Sequence, residues 1–412
     1  MEQKKIILFL FDRLLDPVIQ SNIFQYINEI SINDKSYKFH LITYEHSTQE
    51  INSEKYKAFQ DKLCTQNIEL TPLKYLKGQS VLKKMLCILS GAAVVLKLRL
   101  RGYRHIISLG TVSGSFAYLY ASLLNLKLFL YQHEPHSEFM LDLGEWKNSS
   151  LSFKTLHYLE KKSAQFAKVI ASGTTHMLER LSSRGVNADL FHIPSVVNEH
   201  HFRYSKNERT EIRSELKIDQ NAHVFAYMGK FGGLYYDKEN FDLFDYLSKQ
   251  DAKNHILILT PHDAKEVKEQ MLQRSIPKTQ FSIRSVAFEN MPKYLSASDF
   301  GIISIPPTPA QKFRSPIKVG EYLCCGIPYL TVKGVSEDDV FAEKNKVGVV
   351  VNSFCTKEFE VAYPKIHDYL NEKKEPLRER CRKHGIQYRG YSNLFPKFQL
   401  ALERLTSKKI KP

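Results

Sequence analysis

Short apolar runs alternate with longer amphipathic segments along this 412-residue chain, in two successive series. In the first, strands are predicted at Ile6–Phe11, Phe39–Tyr44, Ile68–Pro72, His105–Leu109, Leu126–Tyr131, Val169–Ser172 and Leu190–Ile193. Helices are predicted between them, near Ile19–Ile30, Glu54–Cys64, Val81–Leu100, Gly114–Leu124, Ser152–Phe166 and Thr175–Ser183. Strands that alternate with helices demand a parallel sheet covered on both faces, because each crossover lays a helix against it. The polar, His-rich stretch Pro194 to Lys206 interrupts the rhythm and suits a linker. The second series has strands at Val224–Met228, His255–Leu259, Phe281–Val286, Gly301–Ile305, Pro328–Val332 and Val347–Val351, and a tail, Lys357 to Lys409, that reads as wholly helical. The expected organisation is therefore two doubly wound α/β domains: 1–197, a linker at 198–206, 207–391, and a C-terminal helix, 392–412, that packs back towards the first domain. Ligands of such sheets bind beyond the carboxyl ends of the strands, so two facing sheets predict a site in an inter-domain cleft.

Composition narrows the class. A hydrophobic content of 43% with 25% charged residues describes a soluble globular protein long enough for two cores. The six cysteines contain no C-x-x-C pair, so they read as free thiols in a reducing compartment. The opening apolar run is too short for a signal peptide. A net charge of +15 makes nucleic acid, anionic membrane and anionic small molecules candidate partners. No nucleic-acid-reading module is visible. The positive charge is concentrated: residues 74–104 carry eight basic residues and no acid, around the apolar run Met85 to Leu96. Twelve residues cannot span a bilayer, but an apolar helix with a basic rim can lie on an anionic leaflet. The alternative is a helix that packs in the domain with solvated lysines.

Three strand-end segments carry candidate chemistry. After Val224–Met228 comes Gly229-Lys230-Phe231-Gly232-Gly233, whose glycines permit close backbone approach and whose N–H groups can face an anion, with Lys230 as a point charge beside them. It is neither a G-x-G-x-x-G nor a Walker loop, and a plain turn is the simpler reading. Further on, Ser315-Pro316-Ile317-Lys318-Val319-Gly320-Glu321-Tyr322-Leu323-Cys324-Cys325-Gly326-Ile327-Pro328 reads as a short helix, Ile317 to Cys325, ended by Gly326. Glu321 stands alone in an apolar unit and needs a partner, either a ligand hydroxyl pair or Lys318 one turn back. The third segment, Gln132-His133-Glu134-Pro135-His136-Ser137-Glu138, suits a polar loop that holds a hydroxylated substrate. A metal between His133 and His136 is disfavoured, because Pro135 prevents a regular helix from aligning them.

In order and spacing, these segments resemble retaining family-4 glycosyltransferases of the GT-B fold, above all the nucleotide-sugar-binding segment of bacterial enzymes that assemble cell-surface polysaccharides. The resemblance covers essentially the whole chain and implies a metal-independent enzyme with no cofactor. Its expected substrates are a nucleotide-sugar donor and a lipid-linked or polysaccharide acceptor in envelope biosynthesis. It further implies that Glu321 binds the donor ribose, that Lys230 binds the diphosphate, and that His133, with His136 in reserve, lies near the transferred sugar. The expected donor site comprises Gly229, Lys230, Gly232, Gly233, Arg314, Ser315, Pro316, Ile317, Lys318 and Glu321, with His133 and Lys230 serving catalysis and His136 and Glu138 on the acceptor or sugar side. Phe313 stands where many members carry a second glutamate, and Tyr236 where many carry a second lysine. Arg314 or Lys318 is the natural source of the missing cation. The expected location is cytoplasmic, at the inner face of the cell membrane, with residues 74–104 on the anionic surface. Rival readings are a nucleotide-sugar epimerase or hydrolase of the same fold, and a non-catalytic nucleic-acid-binding or scaffold protein.

Overall fold

The computed structural model describes residues 3–16, 19–20, 22–78 and 81–407. Residues 408–412 of the expected C-terminal helix and 79–80 of the basic stretch lie outside them. The chain divides into two compact units, residues 1–194 with 395–412, and residues 195–394.

The first unit is built on seven parallel strands: β1 (Lys4–Phe9), β2 (Tyr37–Glu45), β3 (Ile68–Lys74), β4 (His105–Leu109), β5 (Lys127–Gln132), β6 (Val169–Ser172) and β7 (Asp189–His192). Their order is β3-β2-β1-β4-β5-β6-β7. Ile6 pairs with Phe39 on one side and His105 on the other, so β1 is central and Ile6 to Phe9 are all buried. The strand begins two residues before its apolar run, because the parallel ladder is made by backbone: Lys4 N–H donates to the Ser36 carbonyl at 2.7 Å. The last helix, Tyr391–Thr406, places Phe398 flat on Tyr26, with ring centroids 4.4 Å apart, and Lys127 and Lys168 donate to the Ser407 carbonyl just beyond it.

The second unit has six parallel strands: β8 (His223–Met228), β9 (Asn254–Leu259), β10 (Phe281–Arg284), β11 (Phe300–Ile302), β12 (Tyr329–Val332) and β13 (Gly348–Val351). Their order is β10-β9-β8-β11-β12-β13. The stretch 198–206 lies inside this unit. Phe202 is buried there, and Arg382 donates to the carbonyls of Glu199 and Phe202. Apolar content, not polarity, decides where such a segment goes, and burial of Phe202 ties it to this unit. The expected single helical tail is three helices, Thr356–Asn371, Lys374–Arg389 and Tyr391–Thr406. Gly390 breaks the last pair by taking extended geometry and bridging to Val197. Buried Asp299 binds Arg213 at 2.7 Å and Arg209 at 2.9 Å. Burial opposes its charge, but Arg209, Lys374 and Arg213 hold its carboxyl well below the usual range.

Candidate functional site

In the second unit the loop after β8 and the helix Ile317–Cys324 converge on one point. Gly229 has φ 148°, a conformation strained for any side chain, and a Cβ placed there would lie 2.6 Å from Lys318 Nζ and displace the ammonium. Tyr227 hydroxyl donates to the Lys230 carbonyl and holds the loop, leaving the Lys230 side chain exposed. The expected row of glycine N–H donors is mostly consumed internally: Gly229 donates to the Leu259 carbonyl at 2.9 Å and Gly232 to the Tyr236 carbonyl at 3.2 Å. Of the three, only Gly233 N–H makes no hydrogen bond among the described residues. Few of the loop's amides are therefore left over, and its exposed charge is the Lys230 ammonium.

The helix Ile317–Cys324 starts at Pro316, and the hydroxyl of Tyr322 pins it to the Ala226 carbonyl at 3.0 Å. Gly320 sets its depth. A Cβ there would meet Val197 at 2.7 Å and Arg389 at 2.8 Å, so only glycine lets the helix sit this close to its neighbours. Ser315 is a clamp: its hydroxyl accepts from Ser195 N–H at 3.0 Å and from the Arg389 guanidinium, and its carbonyl accepts from Ser195 Oγ at 2.6 Å. Arg389 is itself held by buried Asp338.

Glu321 is 6% exposed. No described residue donates a hydrogen bond to its carboxylate; burial pushes its pKa up to about 7, with Lys318 alone pulling back. Lys318, the protein partner that the sequence offered, makes no ion pair with it. Lys318 turns the other way and sets its Nζ 3.8 Å above the ring centroid of Tyr235. Burial alone would raise the Tyr235 phenol, but Lys318, Arg314 and Lys230 outweigh it and hold it below its ordinary value. Three cations thus surround one half-buried hydroxyl. Phe313, where many members of the resembled family carry a glutamate, is a core residue, 4% exposed.

The first unit carries the other expected residues. His133 follows β5 and lies against Tyr131, with ring centroids 5.8 Å apart. His136 opens the helix His136–Asp142, whose N-cap is Pro135, and its Nδ1 lies 3.3 Å from Glu134 Oε1. Proline therefore starts a helix here and leaves His133 outside it. Among the described residues no cluster of three His, Cys, Asp or Glu is placed to hold a metal. Glu138 is gripped through both oxygens by Arg180, one contact being 2.7 Å, with Arg184 at 3.6 Å. Burial would raise its carboxyl, but the Arg180 bonds and charge, with Arg184 and His157, prevail and lower it.

Two further carboxylates escaped the sequence reading. Burial pushes Glu160 up to about 7, although it accepts Ser137 N–H at 2.8 Å and Ser137 Oγ at 2.5 Å. Burial and then Asp16 push Asp12 up to about 6, against Ser113, Arg13 and His136. Asp12 had a signal, an acid directly after the first strand. Glu160 had none, since it sits in mid-helix among lysines.

No family model and no curated protein sequence matches the chain. Solved structures do. HepE of Anabaena, in complex with UDP, superposes with a TM-score of 0.70 at 12% identity, over 97% of this chain and 99% of its own. Sucrose-phosphate synthase of Thermosynechococcus elongatus gives 0.70 at 12% identity, over 98% and 99%. A Listeria monocytogenes protein named as a UDP-N-acetylglucosamine 2-epimerase gives 0.62 at 11% identity, over 100% and 99%. With its two parallel sheets of seven and six strands, the chain has the GT-B fold.

Proposed function

We propose that this protein is a glycosyltransferase that takes a sugar from a nucleotide-sugar and delivers it, with retention, to a lipid-linked or glycan acceptor in envelope polysaccharide synthesis. The observation that carries the proposal is Glu321: a buried carboxylate without a donor, beside a glycine loop lined by cations. Two vicinal ribose hydroxyls supply the donors it lacks, and an ionised carboxylate binds such a pair strongly. As the bond from the anomeric carbon to the diphosphate breaks, its electron pair leaves on the phosphate oxygens. Lys230, Lys318 and Arg314 would stabilise that charge, and the acceptor hydroxyl would form the new bond to the sugar as its proton passes to the departing phosphate oxygen. His133 is assigned to the sugar. No metal or cofactor is required by this scheme. HepE was solved with UDP and with UDP-glucose, which is consistent with a nucleotide-sugar donor. Thermal-shift screening of nucleotide-sugars tests the reading, because a ligand that binds only the native state raises the melting temperature. Absence of any shift across uridine, guanosine, adenosine, cytidine and thymidine diphosphate sugars would overturn it. The epimerase reading, favoured by the Listeria neighbour, is separated by acceptor dependence: an epimerase converts the nucleotide-sugar with no acceptor added.

The acceptor assignment rests on the helix Val81–Leu100. Cys87, Val95 and Leu98 are buried, and Tyr44 and Tyr120 hydroxyls donate to its Cys87 and Ile88 carbonyls. On the outer side Leu82, Met85, Leu86, Leu89, Leu96 and Leu100 are exposed at helical spacing, from 45% to 81%. Lys83, Lys84, Lys97 and Arg101 flank them. No helix among the described residues is long and apolar enough to cross a membrane. We assign this face to an anionic leaflet, with the leucines entering the interface and the cations on headgroups. Each basic residue there is worth ~1 kcal/mol, screened by salt. Changing Lys83, Lys84, Lys97 and Arg101 to Gln should release the protein from phosphatidylserine vesicles in co-sedimentation. Equal binding of the wild type to neutral vesicles, or none, would dismiss the assignment.

A further inference from the structure

Lys318 and Glu321 lie one helical turn apart, a spacing at which Lys and Glu ordinarily pair. They do not pair. The ammonium lies over the Tyr235 ring, and the space it occupies is kept open by Gly229. Glu321 is buried, so a cation at hydrogen-bond distance would be the most effective way to relieve its charge. Something must outweigh that attraction, and the tyrosine face is what Lys318 meets instead. Cation–π attraction strengthens as the site is desolvated.

We propose that Tyr235 is a positioning residue that keeps the two halves of the donor site apart: it holds the Lys318 ammonium against Gly229, ready for a diphosphate, and so leaves the Glu321 carboxylate open for a hydroxyl pair. The inference rests on the donor-site reading above. The titratable groups that act on Tyr235 are Lys318, Arg314 and Lys230; Tyr227 also faces it. Those that share the surroundings of Glu321 are Lys318, Tyr322, Cys324 and Cys325. Among all of these only Lys318 belongs to both sets, so it is the group whose position Tyr235 can trade between them. A tyrosine with a merely structural role would support the loop without setting the protonation of Glu321.

The test needs no donor. In protein labelled with 13C at the glutamate side-chain carboxyl, the Glu321 signal is identified by its loss in Glu321→Gln, and its titration is followed by NMR. Tyr235→Leu frees Lys318 to pair with Glu321 and should lower the titration midpoint by about 1 unit or more, the effect of a nearby opposite charge. Tyr235→Phe keeps the ring and should retain most of the wild-type midpoint. Tyr235→Leu combined with Lys318→Met should show no lowering. Tyr235→Gln is a second variant of the half-exposed side chain should the leucine variant fail to fold. An unchanged midpoint in Tyr235→Leu and Tyr235→Gln, or the same lowering with Lys318 removed, overturns the inference. Nucleotide binding is then read separately with UDP, GDP, ADP, CDP and dTDP. Binding to the wild type with an unmoved Glu321 midpoint defeats this inference alone, whereas no binding by any of them defeats the donor-site reading.

Discussion

The Glu321 helix with its Gly229 loop in the second unit, and the His133 region of the first, both hold carboxylates partly or wholly withdrawn from solvent, yet they treat them in opposite ways. Around His133, Glu138 is closed by Arg180 and Glu160 by Ser137. In the second unit Glu321 is left without a donor, and the nearest cation is turned aside. A buried acceptor that the protein satisfies itself is architecture, because removing a partner exposes the full desolvation cost. An acceptor left without a donor stays open to one from outside the protein, which is why the proposed ribose contact falls on Glu321. Glu138, expected on the acceptor or sugar side, has both oxygens bonded to Arg180.

The largest expected effect sharpens the contrast on the catalytic side. Lys230→Ala and Lys318→Met should each lower kcat/KM by about 100- to 1,000-fold, since removing one preorganised group at developing charge costs about 2.7–4 kcal/mol. Steady-state kinetics with the donor found by screening would check this, and wild-type turnover in both variants would move the phosphate site elsewhere. Next, Glu321→Gln should weaken donor binding by one to two decades, about 1.5–3 kcal/mol. It should do so without lowering the melting temperature, since no protein partner is lost. Calorimetry and thermal melts together decide it; a marked loss of stability would make Glu321 architectural after all.

Arg180→Met should do the reverse and destabilise the fold by about 1–3 kcal/mol, because Glu138 is left partly buried without its partner. Urea unfolding measures this, and a null result would break the contrast between the two regions. The smallest effect concerns pH. Glu160 titrates near 7 in the folded protein and lower when unfolded, so the folded state binds more protons between the two values. Stability from this group is full in acid and declines as pH rises to about 7. Glu160→Gln should flatten that decline in urea melts taken from pH 5 to 8. Donor affinity should run oppositely and rise as Glu321 ionises through about 7. Parallel profiles would show that one general transition, and not two separate carboxylates, controls both.

Much of the fold was legible because its determinants are local. Apolar runs of strand length separated by amphipathic helices specify parallel sheets, and all thirteen strands fall within a few residues of their expected places. Glycine and proline marked the ends of the Glu321 helix by their own backbone preferences. The tail was less legible: it breaks at Glu372–Lys373 and at Gly390, and although glycine disfavours helix, the Gly390 break is fixed by its bridge to Val197.

For the candidate site, residue type and order alone determined that a lone glutamate, a lysine-bearing glycine loop and a histidine loop lie at strand ends. Tertiary structure alone decided which charges are spent. Lys318 faces Tyr235, 83 positions earlier in the chain, and not its helical neighbour Glu321. Glu138 finds Arg180, 42 positions away, and the leucines of Val81–Leu100 turn outward because Cys87, Val95 and Leu98 take the inner face. Local sequence sets backbone conformation through short-range sterics, whereas the fate of a charge or an apolar face depends on which distant groups the folded chain brings within a few ångströms of it.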